Sequence, residues 1–326
     1  MTKIKTILIV PVCNCSFTQA IGGITCSFEV AKMLNLFCND VRILDLKQIS
    51  NHVYNNTFVY DNYENNFDAM TTYEYNYDKE TTVVIYGEQV TGNPMNSKHV
   101  VRWILAPIGV NISFDIIKTW NPNDLVYYFN SEYKFFETSN VNKYKTVYKL
   151  LSSIHVNPNL INLNFPRSGF CHAFRKCHIH KSINYIHPDD SYQIMDFGVE
   201  QDTLIEIFNT YKFFISYDPL TFLNVMAASC GCISIVYKVE GKSKEEWLQS
   251  TTLVDYFKAT REKELYGVAY GVEEIEYAIN TMHLVKEQWN NIHDYCIAHT
   301  VVPFINDMEN IDGFGLENTV YNNYMS

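Results

Sequence analysis

Along this chain, short continuous apolar runs alternate with polar turns and with stretches of helical period. Residues 6–12 open with such a run, TILIV, continuous rather than alternating, as in a strand buried on both faces. A polar loop ending in Gly22-Gly23 leads to residues 24–38. There Ile24, Phe28, Ala31, Leu34 and Leu36 are among the apolar positions of a predicted amphipathic helix. A second strand is predicted at 41–46, so the opening is a strand–helix–strand unit. TTVVIY at 81–86 predicts a strong strand ending at Gly87-Glu88. The turn through Thr91-Gly92-Asn93-Pro94 is expected to lead into a helix over 97–105, closed by 107–109. This places His99 and Arg102 on a helix surface. Further strands are predicted at 125–129 and, briefly, at 147–151. Residues 50–80, rich in Asn, Tyr and Asp and without a clean period, read as an irregular surface insertion with at most a short hairpin. Their exposed aromatics leave a second reading open, a flap that stacks on sugar rings.

After an Asn- and Pro-rich stretch at 152–166 the alternation restarts, and a domain boundary is placed there. A strand is predicted at 169–174 and a helix at 201–210. Then comes YKFFISYDPLTFLNVMAASCGCISIVY, residues 211–237. Its first run reads as a buried strand, broken by Asp218-Pro219. Asp218 is expected to cap the next helix, with Pro219 in its first turn. Leu220, Leu223, Asn224, Ala227 and Ala228 keep a helical period. Gly231 is the expected left-handed stop before a strand at 233–237. A glycine-flanked strand at 266–271, two helices within 273–299 and a last helix at 301–308 complete the reading. The fold class expected is α/β, with two Rossmann-like doubly wound domains at 1–155 and 156–300. The helix and tail at 301–326 are expected to pack back on the first domain. In such sheets ligands bind beyond the carboxyl ends of the strands.

Length and composition narrow the function. The 326 residues suit two domains. A net charge of −11 and a pI near 5.4 leave no broad basic face, so duplex nucleic acid is not an expected partner. The nine cysteines, an odd number scattered through predicted elements, point to free thiols in a reducing, cytoplasmic setting. No run approaches the roughly 18 apolar residues of a membrane span, so at most peripheral membrane contact is expected. The short apolar run after Lys3 and Lys5 reads as a strand rather than a signal peptide.

Four clusters carry candidate chemistry. Arg175-Lys176 follow a predicted strand at its carboxyl end, with Arg167 and Lys181 as further cations. As phosphate ligands they would neutralise charge on a leaving diphosphate; the alternative is a pair of solvated loop charges. Cys171, His172, Cys177, His178, His180 and His187 lack the paired spacing of a structural zinc site, so no metal is expected. The thiols of Cys13, Cys15, Cys230 and Cys232 read as small buried residues. His187 is a candidate for the nucleobase side of a ligand. Glu88, at the end of a buried strand, is placed either to deprotonate an acceptor hydroxyl or to pin a loop. Thr221 either meets a phosphate or caps a helix. The dinucleotide fingerprint G-x-G-x-x-G is absent after the first strand, which disfavours a nicotinamide dehydrogenase.

Three stretches together resemble a known family. They are GGITCSFEVAKMLNLFCNDVRIL (residues 22–44), VVIYGEQVTGNPMNSKHVVRWILAPIG (83–109), and residues 211–237 with EGKSKEEW and YGVAYG after them. They are similar to the GT-B glycosyltransferases, in particular the retaining group-1 (family 4-like) enzymes of bacteria and viruses. The resemblance implies two facing domains, a nucleotide-diphosphate sugar as donor, and a glycan, polysaccharide or other hydroxyl acceptor. It implies no separate cofactor and no metal. It places Gly22, Gly23, Arg175, Lys176, His187, Asp218 and Thr221 on the donor, and Glu88 and Asp218 as the catalytic carboxylates. Many such enzymes carry two glutamates eight positions apart. Here the first position falls on Asp218 and the second on Met226, so ribose recognition would come from elsewhere. A nucleotide-sugar epimerase and a non-catalytic nucleotide-sugar-binding protein are the alternatives.

Overall fold

A computed structural model describes residues 4, 6–10, 22–38, 40–43, 45–46, 49–50, 53–54, 57–58, 78–109, 112–133, 149–154, 159–175, 182–195 and 199–312. The described residues fall into two compact units. One draws on Met1–Phe17, Gly23–Ile154 and His293–Ser326, the other on Thr18–Gly22 and His155–Ile292. Each is built on a five-stranded, wholly parallel sheet.

In the first unit, β1 (Thr6–Val10) is followed by α1 (Gly22–Asn35) and β2 (Val41–Ile43). Four two-residue strands, β3 (Asp45–Leu46), β4 (Ile49–Ser50), β5 (Val53–Tyr54) and β6 (Thr57–Phe58), form two small antiparallel ladders, β3 with β6 and β4 with β5. Then come β7 (Thr82–Gly87), β8 (His99–Ile104) and β9 (Leu125–Tyr128), giving the order β2-β1-β7-β8-β9. A single parallel bridge joins Tyr128 to Leu150.

Residues 99–104 correct the sequence reading: they are a strand, not a helix. All six are buried, and HVVRWI pairs in register with both β7 and β9. A six-residue apolar run suits either element by period alone, and its β-branched content favours the strand. His99 and Arg102 are therefore interior residues, the latter fully buried. Arg102 Nε donates to Asp124 Oδ2 at 2.8 Å, and its terminal nitrogens donate to the carbonyls of Val90 and Gly92. The guanidinium also lies over the rings of Tyr86 and Trp120, at 4.9 and 5.2 Å. Asn93 closes the preceding turn: its Oδ1 accepts from Tyr86 Oη and its Nδ2 donates to Ser97 O at 2.7 Å.

The second unit runs β10 (Ser168–Ala173), β11 (Tyr192–Gln193), α2 (Gln201–Thr210), β12 (Tyr211–Ser216), α3 (Leu223–Ser229) and β13 (Ile233–Val236). It continues with α4 (Lys244–Leu248), α5 (Val254–Thr260), β14 (Val268–Tyr270) and α6 (Ile275–Thr281). The sheet order is β11-β10-β12-β13-β14. In order of appearance both sheets therefore read 2-1-3-4-5, one of the two common doubly wound orders. Sequence reading missed α4 and α5. The Ser243–Glu246 pair is a complete capping box, a start signal visible in the sequence.

Helix α7 (Val285–Cys296) carries the chain across the division between units at Ile292/His293. A π-turn at Ile297–Val301 and α8 (Val302–Asp312) follow. In the first unit α8 meets β9: Phe304 packs edge-on against Tyr127 at 4.9 Å, and Tyr127 Oη donates to Asp307, which also pairs with Lys149 at 2.6 Å. Thr300 bonds both the N–H and the carbonyl of Ser152.

Burial pushes the Asp124 carboxyl up despite the pull of Arg102, so this interior pair is costly to desolvate and worse to break. Asp124→Ala leaves a buried guanidinium uncompensated. It is expected to destabilise the protein by about 3–5 kcal/mol in urea unfolding; a loss below about 1 kcal/mol would show that the carbonyls and rings suffice.

Candidate functional site

The second sheet fixes the site by its order. The chain reverses direction across the sheet between β10 and β12, and the crevice beyond their carboxyl ends is where a doubly wound sheet binds ligands. Phe174 and Arg175 leave β10 there, and Tyr217 and Asp218 leave β12. The loop at 182–190 is tied to the same place. Ile186 N donates to Tyr217 Oη at 2.9 Å, and Asn184 N donates to Tyr237 Oη at 3.2 Å.

The rings gathered here form one cluster. The imidazoles of His172 and His187 stack at 3.8 Å with 8° between planes. Phe174 stacks on Tyr217 at 4.8 Å and meets both imidazoles edge-on. Tyr185 touches Phe174, His187 and Tyr217, yet is 68% exposed. His187 Nδ1 lies 2.8 Å from Tyr217 Oη, and His172 Nδ1 lies 2.9 Å from Ser191 Oγ. Burial and the neighbouring His187 lower the pKa of His172 to about 4; burial lowers that of His187, opposed by Asp189. Sequence reading singled out His172 and His187 in this group, and placed only His187 on a ligand. Tyr185, Tyr217 and Phe174 carry no signal beyond being aromatic, because the topology alone brings them together.

Asp218 is buried, and its Oδ1 accepts from Leu220 N at 2.9 Å. It therefore closes a turn and does not cap α3, which starts at Leu223, five residues on. This corrects the expected cap, and with it the expected helix N-terminus at Asp218. α3 is only seven residues long. Thr221 is not the N-cap of α3 either, since that position is Phe222; its Oγ1 accepts from Leu223 N at 3.3 Å and closes the turn before the helix. The turn is held from below, where Trp247 Nε1 donates to Pro219 O at 2.7 Å and the indole stacks on Tyr270. Gly231 is left-handed, with φ of 82°, and a Cβ there would lie 2.5 Å from the Asn162 side chain, so the helix stop requires glycine twice over. Met226 is buried in the apolar core with Phe214, Leu223 and Ala227.

Among the cations, Arg175 is half-buried at the end of β10. Lys176 and Lys181 lie outside the described residues, as do Cys177, His178 and His180. Arg167 is structural: it donates to Asn162 Oδ1, Asn209 Oδ1 and the carbonyls of Phe208 and Cys230. Among the described residues no group of three His, Cys, Asp or Glu is placed to hold a metal ion. Cys171, Cys230 and Cys232 are buried thiols, the Cys230 pKa pushed up to about 12 by burial.

In the first unit, Glu88 follows β7 and is buried; Leu105 N donates to its Oε2 at 3.0 Å. That is the loop-pinning contact, made across the carboxyl ends of β7 and β8. Burial raises its pKa, opposed by the Leu105 amide. Gly22 and Gly23 form the first turn of α1, where Gly23 O accepts from Ser27 Oγ at 2.9 Å.

No protein-family model, curated protein or solved structure matches this chain. Among the described residues, no helix is long and apolar enough to cross a membrane.

The His pair makes stability pH-dependent. The folded state keeps His172 neutral down to about pH 4, whereas an unfolded histidine takes up a proton near 6.5. Its contribution is therefore complete above about pH 6.5 and is lost as pH falls toward 4, at about 1.4 kcal/mol per pH unit. Urea unfolding of the native protein and of His172→Phe at pH 7.5, 6 and 5 checks this. The variant's acid slope should be shallower by that amount; equal slopes would contradict the assignment.

Proposed function

We propose that the chain is a GT-B glycosyltransferase whose second unit binds a nucleotide-diphosphate sugar and whose first unit serves the hydroxyl acceptor. The observation that carries this reading is the carboxyl edge of β10 and β12. It gathers a ring cluster, a cation and a buried carboxylate at the crevice of a doubly wound sheet. The shared 2-1-3-4-5 order of the two sheets supports the pairing of Rossmann-like units.

In this reading Arg175 neutralises the diphosphate, and the Asp218 turn borders the donor sugar. Thr221, Gly22 and Gly23 are the further residues proposed for the donor. Glu88 receives the acceptor proton, its raised pKa matching a base that must also release it. A donor charge that grows as the glycosidic bond breaks is met by a fixed guanidinium, with no reorganisation at the moment of reaction. Lys176, adjacent to Arg175, is the further cation proposed for the diphosphate.

One observation favours a second reading, a non-catalytic nucleotide-sugar-binding protein. The Asp218 carboxylate is buried and engaged with Leu220 N, and Met226 leaves no carboxylate for ribose. Thermal-shift screening of the full chain with nucleoside diphosphates and nucleotide sugars addresses both. At a ligand concentration of about 100 Kd the fold gains about 2.7 kcal/mol, or roughly 5 °C in Tm. Arg175→Ala should remove most of the shift, and Glu88→Gln should keep it while abolishing sugar transfer. No shift with any compound would contradict the nucleotide reading. A shift without donor hydrolysis or transfer to any acceptor in a panel would select the binding protein.

A further inference from the structure

We propose that residues 182–191 form a proton-operated latch: the stacked imidazoles of His172 and His187 hold this loop on the sheet while neutral, and acid releases it. The inference concerns how the loop is held, and it stands whatever the crevice binds.

Parallel neighbours in a sheet are usually joined by a helix packed on its face. On the way from β10 to β11, residues 182–191 form turns and bends instead. Ile183 packs against the apolar cluster of the sheet. Polar side chains make further attachments. Ile186 N and Asn184 N donate to the hydroxyls of Tyr217 and Tyr237. Ser191 Oγ lies 2.9 Å from His172 Nδ1, and the His187 ring lies flat on the His172 ring at 3.8 Å. The last two attachments meet at one buried residue of β10, and that residue can take up a proton.

Charge decides whether the stack holds. Two neutral imidazoles pack face to face, and one imidazolium over a neutral ring is a cation on a π face. Two imidazolium ions at this separation repel by several times the thermal energy. Asp189, on the loop, favours a charge on His187, so His187 charges first and the proton on His172 breaks the stack. Phe174, Ser191 and the phenols of Tyr185 and Tyr217 also face the pair, and none of them adds a charge. A histidine freed from the stack takes up its proton near pH 6.5, whereas the closed loop delays that of His172 to about pH 4. The grip is therefore complete above about pH 6.5 and is lost as pH falls toward 4. The loop meets the carboxyl ends of β10 and β12, so its release changes access to the crevice there.

Amide hydrogen exchange of the full chain without ligand, at pH 7 and pH 5 and corrected for intrinsic exchange rates, tests the latch. Opening of residues 182–191 should rise about twentyfold between the two, as one site moving from near 6.5 to about 4 requires. β12 and β13, in the same sheet, should keep their protection. His172→Phe retains a ring for stacking and removes the second charge, so its loop should lose most of the pH response. His187→Phe does the same from the loop side and serves if the first variant fails to fold. A native loop whose opening changes less than about threefold overturns the latch. So does a loss of protection shared equally by β12 and β13, which is global acid unfolding. A phenylalanine variant that responds to pH as fully as the native chain overturns it as well.

Discussion

A parallel strand buried on both faces can offer chemistry only at its ends, and this constraint organises both units. β1, β7 and β8 are buried along their whole length, as are the carboxyl halves of β10 and β12. Nothing polar on those strands reaches solvent without leaving the sheet. The residues just past the strands, Glu88 in the first unit and Phe174, Arg175, Tyr217 and Asp218 in the second, are therefore where the chain leaves the buried sheets. Tyr217 shows how tightly the edge is built. Its ring lies inside the cluster, while its hydroxyl anchors the loop that carries Tyr185 and His187.

Three polar side chains that enter the interior are closely matched by partners. Arg102 is answered by Asp124, two carbonyls and two rings. Asn209 holds the extended segment before β10, donating to Ile161 O and Ile205 O and accepting from Leu163 N and Arg167. Asn224 Oδ1 accepts from Ser234 Oγ across α3 and β13. Each arrangement satisfies buried donors and acceptors that would otherwise cost roughly 1–3 kcal/mol apiece.

Much of the architecture is legible in the sequence, because strands hidden on both faces read as continuous apolar runs. TILIV, TTVVIY, FFIS and ISIV all announce themselves, and the Gly231 stop follows from its place between helix and strand. The same logic misled at 99–104, where an arginine in an apolar run looked like the polar face of a helix. Its partner Asp124 is 22 positions away, and no local pattern reveals the pairing. The site was less legible than the fold. Asp218 and Thr221 look like helix caps in sequence, yet both close the turn that precedes α3, because Trp247 holds Pro219 from a distant helix. The ring cluster draws on positions 172, 174, 185, 187, 217 and 237, and only the strand order makes them neighbours.

The central claim is that the carboxyl edge of β10 and β12 receives a nucleotide. Amide hydrogen exchange on the full chain, with and without saturating nucleoside diphosphate, tests it by location. The account predicts slowed exchange confined to residues 182–190 and 217–223, the two loops that meet at Tyr217. Protection elsewhere, with these two loops unchanged, would contradict it.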